Sequence, residues 1–478
     1  MNTHPSGGPM PRHTLLSLAL LAAIAAPAQA AEPLTVEDLA ERLRLLEQRL
    51  GTATPAETGA DPVAALDQRL RILERQLEIQ QEEAAVRATT APVVAVGDKG
   101  LSVKTPKGDY EIRLRGLVQA DHRAFLGNES PAFNDGFLFR RIRPTLEGNL
   151  GPLIAFRLTP ELAGDSATLV DAYVDVKFDP RYTLRVGKLK GPVGLERLQS
   201  GGATALIERG FPTELAPNRD LGVQLQGELA RGTVTYAAGV FNGAPDGRDA
   251  PTTDPDGELE FAGRLFFEPW KNEANALSGL GFGLAGSVGD KDGGGNSFLP
   301  RYRTPGQNVF FNYRAAVLAD GRHTRISPQA WFYRNAFGLQ AEAIRSEQEV
   351  SIGGVRSDLA HDAWQLTTSW VLTGEDAGYR GVVKPNRPFT GGGEGWGAFE
   401  LVARYGELDV DDDAFGLYAD PNLSASRSRA WGLGLNWYLT SNLKLVLNHT
   451  RAGFDGGATG GRDREDESTV FSRLQLAF

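Results

Sequence analysis

The sequence predicts an all-β protein, a transmembrane antiparallel β-barrel of about 16 strands. Apolar and polar residues alternate from residue 101 to 478, and short turns alternate with long polar loops. The last residue, Phe478, is an aromatic that closes an alternating strand. Alternation also fits a water-soluble β-sandwich. The pattern of short turns and long loops, together with an export signal, favours the barrel.

The first 30 residues have the pattern of a signal peptide. Residues 13–27 form an apolar run that leads into Ala28-Gln29-Ala30, a small-x-small cleavage pattern. We expect cleavage after Ala30, with Met1 or Met10 as the start. The run is too short to span a bilayer comfortably, and the sequence has no second run of this kind.

Composition excludes several classes of protein. The chain has no cysteine, so it cannot be a disulfide scaffold and offers no thiol chemistry. Its formal net charge of −10 argues against a nucleic-acid partner. This charge says little about a pore, where only the side chains that line the lumen act on a permeant. We predict no cofactor and no bound metal.

Residues 31–97 are predicted to be a periplasmic helical segment with a linker at 89–100, ahead of the barrel at 98–478. Apolar residues there occupy heptad a and d positions. They are Val36, Leu39, Leu43, Leu46 and Leu50, then Leu66, Leu70, Leu73 and Leu77. The pattern favours a trimeric coiled coil over a pair of amphipathic helices that lie on another surface.

Long loops and aromatic residues add detail to the barrel. The segments 242–258, 289–308, 374–396 and 411–429 are predicted as long loops opposite an end of short turns, the plan of an outer-membrane barrel. Aromatic residues at strand ends are predicted to lie at the membrane interface, where amphipathic rings settle. They are Phe266, Phe267, Trp270, Trp437 and Tyr438.

Strand parity predicts which side chains line the lumen. If the apolar residues of each strand face lipid, the residues between them face water. Arginines recur at these water-facing positions on one strand after another: Arg113, Arg115 and Arg123, then Arg141, Arg143, Arg157, Arg185 and Arg404. Arg140 has the lipid-facing parity, and we expect it at the rim.

A column of arginines has a physical use in a pore. A partly dehydrated oxyanion needs replacement donors, and the guanidinium group supplies several in a plane without losing its charge. A series of moderate sites conducts better than one tight site. The alternative is that arginine–glutamate pairs, with Glu147 and Glu161 as partners, merely brace the wall.

Several segments resemble the phosphate- and polyphosphate-selective porin family, the O/P porins. The segments are FNDGFLFRRIRPTLEGNL (133–150), DAYVDV (171–176), YTLRVGKLKGPVGLERLQS (182–200), ALIERGFP (205–212) and WGAFELVARYGELDV (396–410). The resemblance implies a homotrimer of 16-stranded barrels in the Gram-negative outer membrane. It also implies a loop after the VGKLK strand that folds inward, and an arginine ladder that leads to a lysine-bearing constriction.

The resemblance implies roles for individual residues. Arg140, Arg141 and Arg143 occupy its FRRxR segment, and Arg209 is the basic residue of the infolded loop. Lys188 and Lys190 are its constriction lysines, although parity places both outward unless the strand bulges or ends near residue 187. The phosphate-specific members place tyrosines at the constriction, whereas this chain has Arg143 within its FRRIR segment.

The sequence therefore predicts an anion-selective channel whose permeants are phosphate or polyphosphate. The alternatives are a general diffusion porin with little selectivity and a sugar-specific channel. We do not expect an enzyme, because the barrel histidines have no serine neighbour in a recognisable motif: His122, His323, His361 and His449. The glycine-rich run GFGLAG at 281–286 lies within an alternating strand, so its match to a dinucleotide-binding pattern is a coincidence.

Overall fold

A computed structural model describes residues 91–478 except 128–134, 296 and 380–383, together with five helical residues between 75 and 86. The five are Arg75, Glu78, Ile79, Glu82 and Val86. The predicted signal peptide and the heptad positions lie outside the described residues. No helix in the described part of the chain is long and apolar enough to cross a membrane.

Sixteen strands of the described chain form one closed antiparallel sheet, in which each strand pairs with the next. They are β3 (Tyr110–Leu126), β4 (Gly136–Leu150), β5 (Ile154–Glu161), β6 (Thr168–Asp179), β7 (Tyr182–Lys190), β8 (Arg219–Leu229), β9 (Val234–Phe241), β10 (Glu260–Phe267), β11 (Leu280–Gly294), β14 (Leu318–Arg334), β15 (Phe337–Ile352), β16 (Val355–Val371), β17 (Ala398–Asp409), β18 (Ala425–Tyr438), β19 (Leu443–Ala458) and β21 (Glu467–Ala477). The shorter strands are β1 (Val93–Gly97), β2 (Gly100–Lys104), β12 (Arg301–Arg303), β13 (Val309–Asn312) and β20 (Arg462–Asp463). The predicted barrel and its strand number are confirmed.

The last strand closes the barrel against the first. β21 pairs with β3 from Ser468, opposite Leu126, to Ala477, opposite Leu117. Two backbone hydrogen bonds between Gly116 and Phe478, of 2.9 and 3.0 Å, complete the seam. Closure is required because lipid offers no partner to an unpaired backbone edge.

The segment predicted as a linker is a β-hairpin instead. β1 pairs with β2, and β2 continues the sheet along the first residues of β3, with Leu101 opposite Leu114. The valines at 93, 94 and 96 suit a pleated strand, and the turn between Gly97 and Gly100 closes the hairpin. The barrel sheet is thus extended beyond the seam.

The outer surface of the barrel is apolar, as the alternation predicts. Leu433 and Leu447 are about half exposed there, and Trp364 packs on Tyr405 at 5.5 Å between ring centroids. The interface position predicted for two of the aromatic residues is wrong, because Phe266 and Tyr438 are buried inside the barrel. The clustering of aromatics suggested a membrane belt, but strict alternation along each strand turns every second ring inward.

One predicted long loop lies at the opposite end from the others. Consecutive strands run in opposite directions, so the segment 372–397 between β16 and β17 belongs to the end of the short turns 335–336 and 439–442. We call this end the turn end and the other the loop end. The prediction that 374–396 is a loop-end segment is therefore wrong, because length alone does not reveal strand direction.

The hydrophobic core lies inside the barrel, toward the loop end. The β12–β13 hairpin folds into the lumen, and its aromatic side chains Tyr302, Phe310 and Phe311 are fully buried. They pack with Ile344 and Leu408, which project inward from β15 and β17. This hairpin fills one side of the lumen, so the open space lies along the remaining wall.

The segment 191–218, here called the inner loop, follows β7 and lies within the lumen. It contains α1 (Leu195–Leu198) and α2 (Pro212–Leu215). The carboxylate of Glu342 on β15 accepts hydrogen bonds from the backbone N–H groups of Leu195 at 2.5 Å and of Glu196 at 3.0 Å. Glu196 in turn pairs with Arg404 of β17. The infolded loop that the resemblance implied is present.

Candidate functional site

A cavity of about 1120 Å³ extends from the turn end of the barrel to the inner loop. Asp98, Glu228 and Phe478 line it at the turn end, and Ser200 and Gly201 of the inner loop line its other end. Its wall is formed by strands β3 to β10. The inner loop therefore narrows the lumen at the end of the cavity that lies away from the turn end.

The lining of this cavity is strongly cationic. Among the described residues, eight basic and three acidic side chains line it. The basic residues are Lys99, Arg115, Arg143, Arg157, Arg185, Lys190, Arg219 and Arg264, and the acidic residues are Asp98, Asp171 and Glu228. This excess of positive charge contrasts with the negative charge of the whole chain.

Most of the wall arginines have carboxylate partners, and the partners of Arg115, Arg157 and Arg185 are less exposed than the arginines themselves. Glu147 accepts hydrogen bonds from Arg157 at 2.5 Å and from Arg115 at 3.4 Å, and its side chain is 16% exposed against 35% and 45% for the two arginines. Asp175 binds Arg185 at 2.7 Å in the same manner. The pairs brace the wall, and they also leave the guanidinium groups as the surface that a permeant meets.

A tyrosine lies among these arginines. The Arg185 guanidinium carbon is 4.0 Å from the centre of the Tyr173 ring, a cation–π contact. Tyr173 pairs with Arg157 across β5 and β6 and lines the cavity. Its hydroxyl adds a donor that can rotate toward an anion, and it lies on β6, outside the FRRIR segment of β4.

Lys190 and Arg209 converge on one carbonyl oxygen of the inner loop. The Lys190 ammonium donates to the backbone oxygen of Gln199 at 2.7 Å, and the Arg209 guanidinium donates to the same atom at 2.8 Å. Within the described part of the chain, neither cation has a carboxylate at ion-pairing distance. Burial and the neighbouring charge of Arg197 lower the pKa of Arg209 to about 9.

A bulge in β4 brings Arg140 into the lumen. The pairing of β3 with β4 shifts between Gln119 and Ala120, so Arg140 is the extra residue. Its guanidinium binds the carboxylate of Glu208 on the inner loop at 2.6 and 3.0 Å. The prediction that Arg140 lies at the rim is wrong, because one inserted residue reverses the parity on which it rested.

Glu208 is held by cations on several sides. Arg123 of β3 donates to it at 2.6 Å, and Arg473 of β21 lies 4.0 Å away. Burial would raise the pKa of Glu208, but the charges of Arg140, Arg123 and Arg473 outweigh burial and hold the pKa far below its usual range. The surrounding arginines therefore favour the charged form of Glu208.

Arg141 is buried beneath the inner loop. It donates to the side-chain oxygen of Gln119 at 2.7 Å, and Gly201 lies so close that an added side-chain carbon would be 3.0 Å from its Nε. That Nε has no hydrogen-bond partner among the residues described. Arg141 therefore faces the lumen, as predicted, but the inner loop separates it from the cavity.

The remaining predicted residues differ in position. Arg113 lies at the turn end, paired with Glu111 at 2.7 Å, beside the cavity. Lys188 keeps the outward parity of Val186, because the register of β7 on β8 runs without a shift from Thr183 to Lys190. The constriction role of both lysines required the strand to bulge or end near residue 187, and the strand ends three residues later, at Lys190. That ending lets Lys190, and not Lys188, reach the lumen.

Several residues of this site are not among those predicted from the sequence. Arg219 and Arg264 line the cavity from β8 and β10, and Glu208 neutralises Arg123 and Arg140. Parity applied to β10 would have identified Arg264, whereas Arg219 has the outward parity of Val223 and reaches the lumen only from the end of its strand. Nothing local could have identified Glu208, since its partners are 68 and 85 residues away in sequence.

The closed barrel, its apolar outer surface and its infolded loop define the class of protein: an outer-membrane porin. A family model described as "Phosphate-selective porin O and P" matches residues 112–478, and the chain belongs to this family. Porin O of Pseudomonas aeruginosa is 24% identical over 442 residues, which cover 84% of this chain and 97% of that protein.

The chain is also similar to solved structures of outer-membrane channels. The outer membrane channel DcaP of Acinetobacter baumannii matches with a TM-score of 0.50 at 12% identity, over 78% of this chain and 99% of that one. A structure described as an anion-selective porin from Comamonas acidovorans matches with a TM-score of 0.49 at 16% identity, over 77% and 99%. Family and fold indicate a channel of the Gram-negative outer membrane.

Proposed function

We propose that this porin is an anion-selective channel for the passive uptake of phosphate-type oxyanions, phosphate or polyphosphate. The observation that carries the proposal is the cavity lining, in which the described residues provide eight cations and three carboxylates. A low-dielectric wall focuses such a field and raises the local concentration of anions. Cations are repelled by the same field.

The donors along the cavity support oxyanions in particular. Arg115, Arg157 and Arg185 with Tyr173 lie along the wall of the cavity, and Lys190 lies at the inner loop. Each group offers N–H or O–H donors that can replace water around an oxyanion. The carboxylates that pair with the arginines weaken the binding of an anion at each site, so that the anion can leave the site as well as enter it.

The decisive test is single-channel recording of the whole protein across a KCl gradient. We expect a reversal potential of the anion-selective sign, and a block of chloride current when phosphate is added at low concentration. Arg185→Ala and Lys190→Ala should each weaken that block. A reversal potential of the cation-selective sign would refute the proposal.

A matched control uses an arginine of the outer surface. Arg356 on β16 pairs with Asp320, and its side chain is 63% exposed. Arg356→Ala removes the same charge as Arg185→Ala without touching the lumen, so selectivity should stay at the wild-type value. If the control shifts the reversal potential as much as Arg185→Ala does, the effect comes from the net charge of the protein.

A general diffusion porin is the second candidate, and the ion pairs of the wall favour it. If the carboxylates of Glu147, Glu161 and Asp175 cancel their partners, the channel would pass both ion signs with little preference. The same recording separates the two functions. A sugar channel would need a run of exposed lumen aromatics, whereas Trp331 packs on Phe266 and Tyr379 and is only 7% exposed, and the Tyr173 ring is covered by Arg185.

The assembly and the N-terminal segment belong to the same proposal. The outer surface of β4 carries Phe137 and Phe139, which are 87% and 58% exposed and suit contact with lipid or with a neighbouring barrel. We expect a homotrimer, with the segment 34–86 in the periplasm as its coiled coil. A mass of three chains by light scattering in detergent is the expected result, and deletion of 32–90 should weaken the trimer.

A further inference from the structure

Arg123 and Arg140 converge on a single carboxylate in the lumen, on the far side of the inner loop from the open cavity. One oxygen of Glu208 accepts from Arg123 and from Arg140 at 2.6 Å each, and the other accepts from Arg140 at 3.0 Å. Planar pairing of two carboxylate oxygens with a guanidinium fork is also the way in which arginine binds phosphate. Glu208 thus occupies the position that two oxygens of an oxyanion would take.

We infer that Arg123 and Arg140 form a second oxyanion site and that Glu208 is its tethered competitor, which a permeating phosphate displaces. The inference rests on the proposed anion channel and adds a residue that sets its affinity. An anion binds such a site with an apparent affinity reduced by the fraction of time for which the site is free. Glu208 therefore keeps the site weak enough for transport.

The backbone around Glu208 is held independently of its carboxylate. The N–H of Ile207 donates to the side-chain oxygen of Asn448 at 2.7 Å, and the carbonyl of Ile207 accepts from Arg473 at 3.0 Å. The carbonyl of Glu208 itself accepts from Arg404 at 3.0 Å. Because these bonds use no atom of the Glu208 side chain, the side chain can leave the arginines while the inner loop stays docked.

The charges nearby favour an anion once Glu208 has moved. Asp121 is bound at 2.6 and 2.7 Å by Arg473, and it lies 3.5 Å from Arg123. In the part of the chain that the structure describes, Arg140 has no carboxylate at ion-pairing distance other than Glu208. Its side chain is 30% exposed, so an anion in the lumen can reach it.

The test measures phosphate block of chloride current in full-length channels that carry Glu208→Gln or Glu208→Ala. Both variants remove the competing charge, and the apparent dissociation constant for phosphate should fall about tenfold or more, with slower recovery from each block. Asp409→Asn is the control: Asp409 pairs with Arg427 at 2.6 Å on the outer surface, so its loss should leave the block unchanged.

Each outcome decides the inference. An unchanged or weaker block in both variants would overturn it, and so would failure of both variants to assemble, since Glu208 would then be a structural clamp. A wild-type channel of cation-selective sign would instead refute the proposed function. A wild-type channel that is anion-selective and blocked by phosphate, with no gain in either variant, refutes only the role of Glu208.

Discussion

The ion pair between Glu196 and Arg404 anchors the inner loop to the wall, and its removal has a calculable effect. The side chains are 2% and 5% exposed, so both charges are buried. Glu196 also accepts from Gln365 and from the N–H of Gly210, at 2.9 Å each. Replacing one partner of such a pair by alanine costs about 3–5 kcal/mol, because the other charge stays buried without compensation.

Much of this cost falls on the docked state of the loop, since the barrel strands keep their backbone ladders. A loss of about 3 kcal/mol raises the undocked fraction of the loop roughly 100-fold. The bonds from Glu342 to Leu195 and Glu196 remain, each contributing about 1.5–3 kcal/mol, so the loop opens transiently and does not detach. We expect brief transitions to a larger conductance in Glu196→Ala and in Arg404→Ala.

A double-mutant cycle tests the reasoning. Glu196→Ala/Arg404→Ala leaves neither charge uncompensated, so its loss of stability should be smaller than the sum of the single losses by about 1–3 kcal/mol. The temperature at which the barrel loses its heat-modifiable migration reports stability, and single-channel noise reports the loop. Strictly additive losses, or single variants as quiet as the wild type, would refute the assignment of this pair as the anchor.

Three further predictions concern other contacts. Gly116→Leu should slow closure of the barrel and lower its melting temperature, because an added side-chain carbon would lie 2.4 Å from the Phe478 ring; thermal scans with Gly136→Leu as control check this. Phe311→Ala should lower the free energy of unfolding by about 3–5 kcal/mol, since the ring is fully buried in the lumen core. It should also raise the single-channel conductance, because the β12–β13 hairpin packs less tightly in the lumen. Tyr379→Phe removes the hydroxyl that donates to Leu195 at 2.6 Å and should raise conductance noise, while Tyr405→Phe, on the outer surface, should not.

The barrel and the polarity of its two surfaces were predictable from the sequence. Alternation is a local property with a period of two residues, so it assigned Arg143, Arg157 and Arg185 to the lumen without any knowledge of their partners. The closing strand was equally clear, since Phe478 ends an alternating run. Parity failed where one residue was inserted, at Arg140, because a bulge turns a side chain to the other face.

Only the tertiary structure decided what surrounds those arginines. Glu196 and Arg404 are 208 residues apart, and Arg473 and Asp121 are 352 apart. No local pattern carries such contacts, because they depend on how a loop docks across the lumen. Strand direction, too, is a property of the closed sheet, and it placed the segment 372–397 at the turn end. The sequence thus determined the wall of the channel, whereas the docking of loops inside it determined which charges are neutralised and which face a permeant.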